Sequence, residues 1–91
     1  MEGRWKLYIL RCADSSLYTG ITTDVERRVR EHNGSKTGAR YTRGRRPVTL
    51  LKFWRFETRS EASRAEYAFK SLQRPEKLDR IQENDISGLI E

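Results

Sequence analysis

The sequence reads as a small α+β sandwich with the element order ββαβαα. Three observations lead there. Two short segments rich in β-formers flank a turn near the start of the chain. Two threonine–glutamate pairs with capping-box spacing open helical stretches. A strand-like apolar run lies between those stretches. With 91 residues the chain makes a single domain, 1–91, with room for a small core and a surface groove. That length excludes a two-domain enzyme with an internal cleft.

The first two elements are Trp5–Arg11 and Leu17–Thr22, joined through Ala13, Asp14 and Ser15, whose composition is that of a turn. If those three residues form the loop, Cys12 faces Ser16, Leu10 faces Tyr18 and Tyr8 faces Gly20. Tyr8 and Tyr18 are then diagonal neighbours on one face of the hairpin, about 7 Å apart. A two-residue loop would send them to opposite faces, and the sequence alone leaves that register open. A helix is predicted from Thr23, with Thr23 and Glu26 as its capping box and Asn33 and Gly34 as its stop. Residues 34–47 read as a long loop with three glycines. Residues 48–56 form a third strand, whose apolar residues on both faces predict a central position or cover on both sides. Thr58 and Glu61 cap a second helix running to about Gln73. Pro75 opens a third, ending near Asn84, with Leu78 and Ile81 in the core. The tail is expected to lay Ile86, Leu89 and Ile90 on that core.

Charge is unevenly placed. Nineteen Lys and Arg against thirteen Asp and Glu give +6. Arg27, Arg28, Arg30, Lys36, Arg40, Arg43, Arg45, Arg46 and Lys52 fall within one stretch, opposed only by Glu31. Such a local excess is the electrostatic footprint of a polyanion binder, although a basic surface without a ligand has the same composition. No run approaches the ~18 apolar residues of a membrane span, and the N-terminal segment lacks the features of a signal peptide. The one cysteine, Cys12, excludes an intramolecular disulfide and a cysteine-based zinc cage, so a cytoplasmic setting and no membrane partner are expected.

Certain polar residues fall on faces expected to be apolar. Residues three, four and seven apart share a helix face. Val25, Arg28, Val29 and His32 therefore point together toward the sheet, while Arg27, Arg30 and Glu31 point to water. On the second helix Ala62, Ala65, Phe69 and Leu72 form the buried stripe, and Glu66 borders it. Singly, each polar residue has an ordinary structural reading. Hairpin tyrosines pack with wet hydroxyls, an arginine is solvated through its stem, His32 favours a helix C-terminus, and Glu66 pairs with Lys70. Together they bring two phenols, a guanidinium, an imidazole and a carboxylate to one junction of sheet and helices. That set suits phosphodiester hydrolysis, which needs a deprotonated water, a countercharge for the phosphate and help for the leaving alkoxide. Arginine matches phosphate with paired donors. One carboxylate holds a Mg²⁺ that keeps most of its waters. A tyrosine or histidine passes protons.

The segments Leu7–Tyr8–Ile9 and Tyr18–Thr19–Gly20, Arg28 ten positions after Tyr18, and Glu66 within SRAEYAFK together resemble the GIY-YIG endonuclease superfamily. The run LYTGITTDVERRVREHN extends the likeness, which is to the small stand-alone bacterial subgroup. The resemblance implies a three-stranded antiparallel sheet flanked by helices. It implies Tyr8 as general base or water activator, Tyr18 as the residue positioning phosphate and water, and Gly20 as a place where a side chain would crowd the site. Arg28 would stabilise the scissile phosphate, His32 would assist proton transfer, and Glu66 would be the sole protein ligand of Mg²⁺ or Mn²⁺. Thr19 replaces the middle isoleucine of the second motif, and Ile21 stands where DNA-repair relatives often carry lysine.

The expected function is therefore a metal-dependent endonuclease acting on DNA, including branched or damaged DNA in repair or recombination, as a monomer or weak homodimer. Arg27, Lys36, Arg40, Arg43, Arg45 and Arg46 would grip phosphates while Tyr41 stacks on a base, with an affinity that falls steeply with salt. The alternatives are a nucleic-acid-binding module with the nuclease fold but little cleavage, and a protein-interaction domain whose basic face meets an acidic partner. Trp5 and Trp54 are expected in the core, as is Cys12.

Overall fold

The computed structural model describes residues 3–34 and 36–82. Strands β1 (Trp5–Arg11), β2 (Leu17–Thr22) and β3 (Thr49–Phe56) form one antiparallel sheet in the order β2-β1-β3. Helices α1 (Val25–Gly34), α2 (Arg40–Arg43), α3 (Arg59–Lys70) and α4 (Arg74–Gln82) complete the described chain. The α+β class and the flanked three-stranded sheet follow the expectation.

The hairpin turns through Ala13, Asp14 and Ser15. Cys12 N donates to Ser16 O at 2.8 Å, Ser15 takes a left-handed φ of 69°, and Asp14 Oδ1 accepts from Ser16 N at 3.0 Å. That three-residue loop fixes the register at Leu10 opposite Tyr18 and Tyr8 opposite Gly20, so the two phenols share a face. With β1 in the middle, both of its faces are covered. Leu7 and Ile9 pack with Trp54 and Phe56 against Ala62, Ala65 and Phe69 of α3. Tyr8 and Leu10 pack with Cys12, Val25 and Val48 beneath α1. This is why four successive residues, Leu7 to Leu10, are all buried.

Strand β3 lies at a sheet edge and is covered on both sides, the second of the two arrangements its apolar faces predict. Trp54 and Phe56 face α3, while Leu50 and Phe53 face the other layer. An irregularity between Ile9 and Leu10, whose partners are Lys52 and Leu50, lets both faces stay apolar despite the two-residue period.

Helix α1 is capped one residue later than predicted. Asp24 Oδ1 accepts from Arg27 N at 3.0 Å, and Asp24 N itself donates to Thr22 Oγ1 at 3.2 Å. A carboxylate at the positive end of a helix outcompetes the neutral Thr23 hydroxyl for this position. The Thr58–Glu61 box at α3 forms in full. That helix stops at Lys70 with Ser71 as its cap, short of Gln73. Stretch 34–47 is not all loop, since α2 lies within it. Asn33 does more than end α1: its amide receives Val48 N at 2.7 Å and donates to Val48 O at 3.1 Å, joining the helix to the start of β3. Helix α4 carries no fully buried residue; Ile81 is half-buried and packs against the core beneath α3, whereas Leu78 is 39% exposed and is not the core residue expected. Asn84, Ile86, Leu89 and Ile90 lie outside the described residues.

Candidate active site

The site is built around the Tyr8 hydroxyl. Tyr8 sits mid-way along the central strand and is 1% exposed. Its neighbour across the hairpin is Gly20, where an added Cβ would lie 2.6 Å from the phenol oxygen. Only glycine leaves the ring its place, since the clash falls on a buried side chain with no room to shift. The Tyr18 ring lies beside it, with centroids 6.3 Å apart.

The imidazole of His32, the last-turn residue of α1, closes the group. It is fully buried, its Nε2 is 2.8 Å from the Tyr8 hydroxyl, and its ring is edge-on to Tyr18 at 5.0 Å. Burial pushes the His32 pKa down to about 4, and the nearby Arg28 and Arg46 charges push the same way while Glu31 opposes. Burial likewise raises the Tyr8 pKa far above its ordinary value. Tyr18 adds to that rise and Arg28 opposes it.

A pH dependence of stability follows. The folded chain keeps His32 neutral down to about pH 4, whereas an unfolded chain protonates it near pH 6.5. Between those values the unfolded state holds the extra proton, so stability falls as pH drops through the window and levels off below it. Urea denaturation at pH 7 and pH 4.5 is expected to show a loss of up to roughly 3 kcal/mol from this group in the wild type. A His32→Gln variant should show a correspondingly smaller loss between the same two pH values.

Arg28 occupies the rim rather than the interior. Its Nη1 donates to Glu31 Oε1 at 2.9 Å and to Thr37 O at 2.7 Å. Glu31, expected in water, is half-buried and neutralises the guanidinium instead, because a partly desolvated arginine needs a partner. Glu66 comes from α3, which packs on the sheet face opposite Tyr8. Its charge raises the Tyr8 pKa, so Arg28 and Glu66 act on one phenol with opposite sign. The Glu66 carboxylate also pairs with Lys70, at 3.3 Å.

The basic segment is docked rather than loose. Arg45 Nε donates to Asp14 Oδ2 at 2.9 Å, its Nη1 donates to Tyr41 O at 2.8 Å, and its guanidinium lies 4.0 Å above the Tyr41 ring. Ala13 N bonds Arg45 O at 2.8 Å, so the segment is stapled to the hairpin turn. Arg43 Nη2 donates to Lys36 O at 2.6 Å, and Arg46 Nε donates to His32 O. Gly34, Lys36, Arg43 and Arg46 line a basic hollow. A second hollow, lined by Leu17, Tyr18, Thr19, Tyr41, Lys70 and Lys77, opens beside the phenols. Tyr41 is 39% exposed and 5.9 Å from the Tyr18 ring. Arg27 and Arg40 are on the surface. Sequence reasoning missed Thr42, which is fully buried and 2.9 Å from His32 Nδ1. Nothing in the pattern RYTRGRR marks its hydroxyl as internal.

The GIY-YIG catalytic domain family model matches residues 4–79. The chain belongs to the GIY-YIG family. Among its GIY-YIG relatives, a UPF0213 protein of Desulfotalea psychrophila is 59% identical over 68 residues, covering 75% of this chain and 62% of that protein. The chain thus spans a little under two thirds of that relative. A UPF0213 protein of Haloquadratum walsbyi is 56% identical over 77 residues, covering 85% of each. A UPF0213 protein of Bacillus halodurans, solved by NMR, is 47% identical, with a TM-score of 0.56 over 89% of this chain and 83% of that one.

Proposed function

We propose that the protein is a divalent-metal-dependent endonuclease that hydrolyses phosphodiester bonds in DNA. The observation that carries this reading is the contact of the Tyr8 hydroxyl with the His32 imidazole, beside the Tyr18 ring and within the electrostatic reach of Arg28 and, more weakly, Glu66. A phosphate at this junction would meet a cation fixed in charge, a phenol able to take a proton from water, and an imidazole bonded to that phenol. Arg28 binds the scissile phosphate through its paired donors and stabilises the charge that builds on it. Tyr18 positions phosphate and water. Tyr8 takes the proton of the attacking water as its own phenol proton passes to His32 Nε2.

The donor set fits a metal held lightly. Glu66 is a half-buried carboxylate whose charge is felt at Tyr8, which suits a hard cation that keeps its waters and shares the substrate phosphate. A cation there would exchange for Lys70 at the carboxylate. Mg²⁺ or Mn²⁺, when bound, supplies positive charge beside the phosphoryl oxygens.

Lys36, Arg40, Arg43, Arg46 and Arg27 supply sequence-independent grip on the backbone, with Tyr41 available to a base. Arg45 contributes by stapling this surface to the hairpin. Branched or damaged DNA of repair or recombination is the substrate class we assign, in the cytoplasm, with a monomer or weak homodimer as the working unit. Among the described residues no helix is long and apolar enough to cross a membrane.

One observation favours a second reading, a nucleic-acid-binding module with little cleavage: Arg28 is already satisfied by Glu31 and Thr37. A panel of duplex, nicked and flapped DNA with Mg²⁺ or Mn²⁺ separates the two. Cleavage by the wild type that disappears in Arg28→Ala and Glu66→Ala is the expected result. Equal background in all three proteins, with DNA still bound, would leave the binding module.

A further inference from the structure

Thr42 stands among cations, between exposed Tyr41 and Arg43, yet it is 0% exposed. A hydroxyl is buried at a cost unless it is bonded, and the bonds of Thr42 run into the site. We propose that Thr42 is a positioning residue, whose hydroxyl holds the His32 imidazole in the tautomer that leaves Nε2 bare toward the Tyr8 hydroxyl. The inference rests on the nuclease reading for its consequence, though not for its geometry.

Proton counting decides the tautomer. Three short contacts run head to tail: Tyr8 Oη to His32 Nε2 at 2.8 Å, His32 Nδ1 to Thr42 Oγ1 at 2.9 Å, and Thr42 Oγ1 to Ala39 O at 2.9 Å. A threonine hydroxyl has one proton. Given to Ala39 O, it leaves Oγ1 to accept from Nδ1–H. The neutral ring then offers a lone pair at Nε2, and Tyr8 O–H donates to it. One contact favours the opposite tautomer, Ala39 N to Nδ1, but at 3.3 Å it is the longest of the four and lies beyond the usual range. Three consistent bonds outweigh it.

The groups facing the imidazole come from every surrounding element: Tyr8 from β1, Tyr18 from β2, Arg28 and Glu31 from α1, Thr42 from α2, and Arg46 from the segment before β3. Burial is the main reason His32 stays neutral, and a phosphate seated on Arg28 cancels one of the two positive charges that add to it. Substrate therefore makes the ring a better proton acceptor at the moment one is needed. As the water oxygen bonds to phosphorus and the bond to the leaving alkoxide breaks, the water proton passes to Tyr8 Oη. The Tyr8 proton passes to His32 Nε2, and the alkoxide takes its proton from solvent. Thr42 keeps Nδ1–H bonded throughout. Because α2 is stapled to the hairpin through Arg45, the basic segment that grips DNA also sets the orientation of the proton relay.

His32 is the only histidine of the chain, so its two ring ¹⁵N shifts read the tautomer without any assay. At neutral pH the wild type and Thr42→Ser are expected to show a protonated Nδ1 and a bare Nε2. Thr42→Val is expected to lose that preference and turn to the Nε2–H form, with Ala39 N–H bonded to Nδ1. Its kcat should fall at least tenfold, with KM unchanged, and Thr42→Ser should restore it. A wild-type spectrum with protonated Nε2, or an unaltered tautomer in a folded Thr42→Val, overturns the assignment. Should Thr42→Val not fold, the wild-type spectrum decides alone. Because the spectrum is taken without DNA, absence of cleavage would defeat the nuclease reading and leave the tautomer result standing on its own.

Discussion

Arg28→Ala is expected to lower the single-turnover rate of DNA cleavage by about 10³-fold, the usual scale for removing one fixed charge from a site where charge develops. Affinity for DNA should change less than tenfold, because the grip is spread over Lys36, Arg40, Arg43 and their neighbours. The fold should tolerate the change. Arg28 lies at the rim, and its bonds to Glu31 and Thr37 O link two surface segments rather than fill the core. Arg28→Lys should recover only a small part of the rate, since an ammonium keeps the charge and loses the fork of donors. Rapid-quench kinetics at saturating protein, with a parallel binding isotherm, separates the rate from the affinity. A rate within a few-fold of wild type would remove Arg28 from the chemistry.

Tyr8→Phe is expected to be as damaging, by a different route. The ring stays in its buried slot opposite Gly20, so packing is kept. What is lost is the hydroxyl that takes a proton from water, a contribution of about 10²–10⁴-fold in rate. His32 Nε2 is left buried without its partner, which costs about 1–3 kcal/mol of stability. A lowered Tm with an unchanged fold by NMR, together with the lost rate, is the expected pair of results. Full activity in Tyr8→Phe would move the proton transfer to another group, and the Tyr18 hydroxyl would be the next to substitute.

Much of this was legible in the residues, for reasons that can be named. Strands β1 and β2 announce themselves through β-formers on either side of a turn. The only open choice was loop length, which Ser15 settles by adopting a left-handed backbone. Helix α3 carries its own start signal in Thr58 and Glu61. At α1 the same spacing misled, because Asp24, one residue on, is the stronger cap. Apolar residues on both faces of β3 signalled cover on both faces but left its place in the sheet open, since an irregular edge strand between two helical layers meets that condition as well as a central one. Short basic α2 has no periodicity to read. It is fixed by tertiary bonds, Arg45 to Asp14 and His32 to Thr42, that join residues far apart in sequence. Tertiary contact also hid the role of Thr42, whereas Glu31 pairs with Arg28 one turn earlier on the same helix, a local contact that its expected place in water concealed. Gly38 shows how tightly that region closes on α1, since a Cβ there would lie 2.6 Å from Glu31 O. The motif residues were found as a set because family resemblance and helix spacing pointed to the same side chains. That the Tyr8 hydroxyl meets the His32 imidazole beside the Tyr18 ring needed coordinates.

The central claim is that Glu66, Tyr8, Tyr18 and Arg28 surround one place where a cation and a phosphate sit together. Paramagnetic broadening by Mn²⁺ tests it most directly, on ¹⁵N-labelled protein bound to a phosphorothioate oligonucleotide that resists hydrolysis. Broadening centred on Glu66, Tyr8 and Tyr18, and abolished by Glu66→Gln, is the result expected. Broadening that spares Tyr8, or that persists unchanged in Glu66→Gln, would contradict the account.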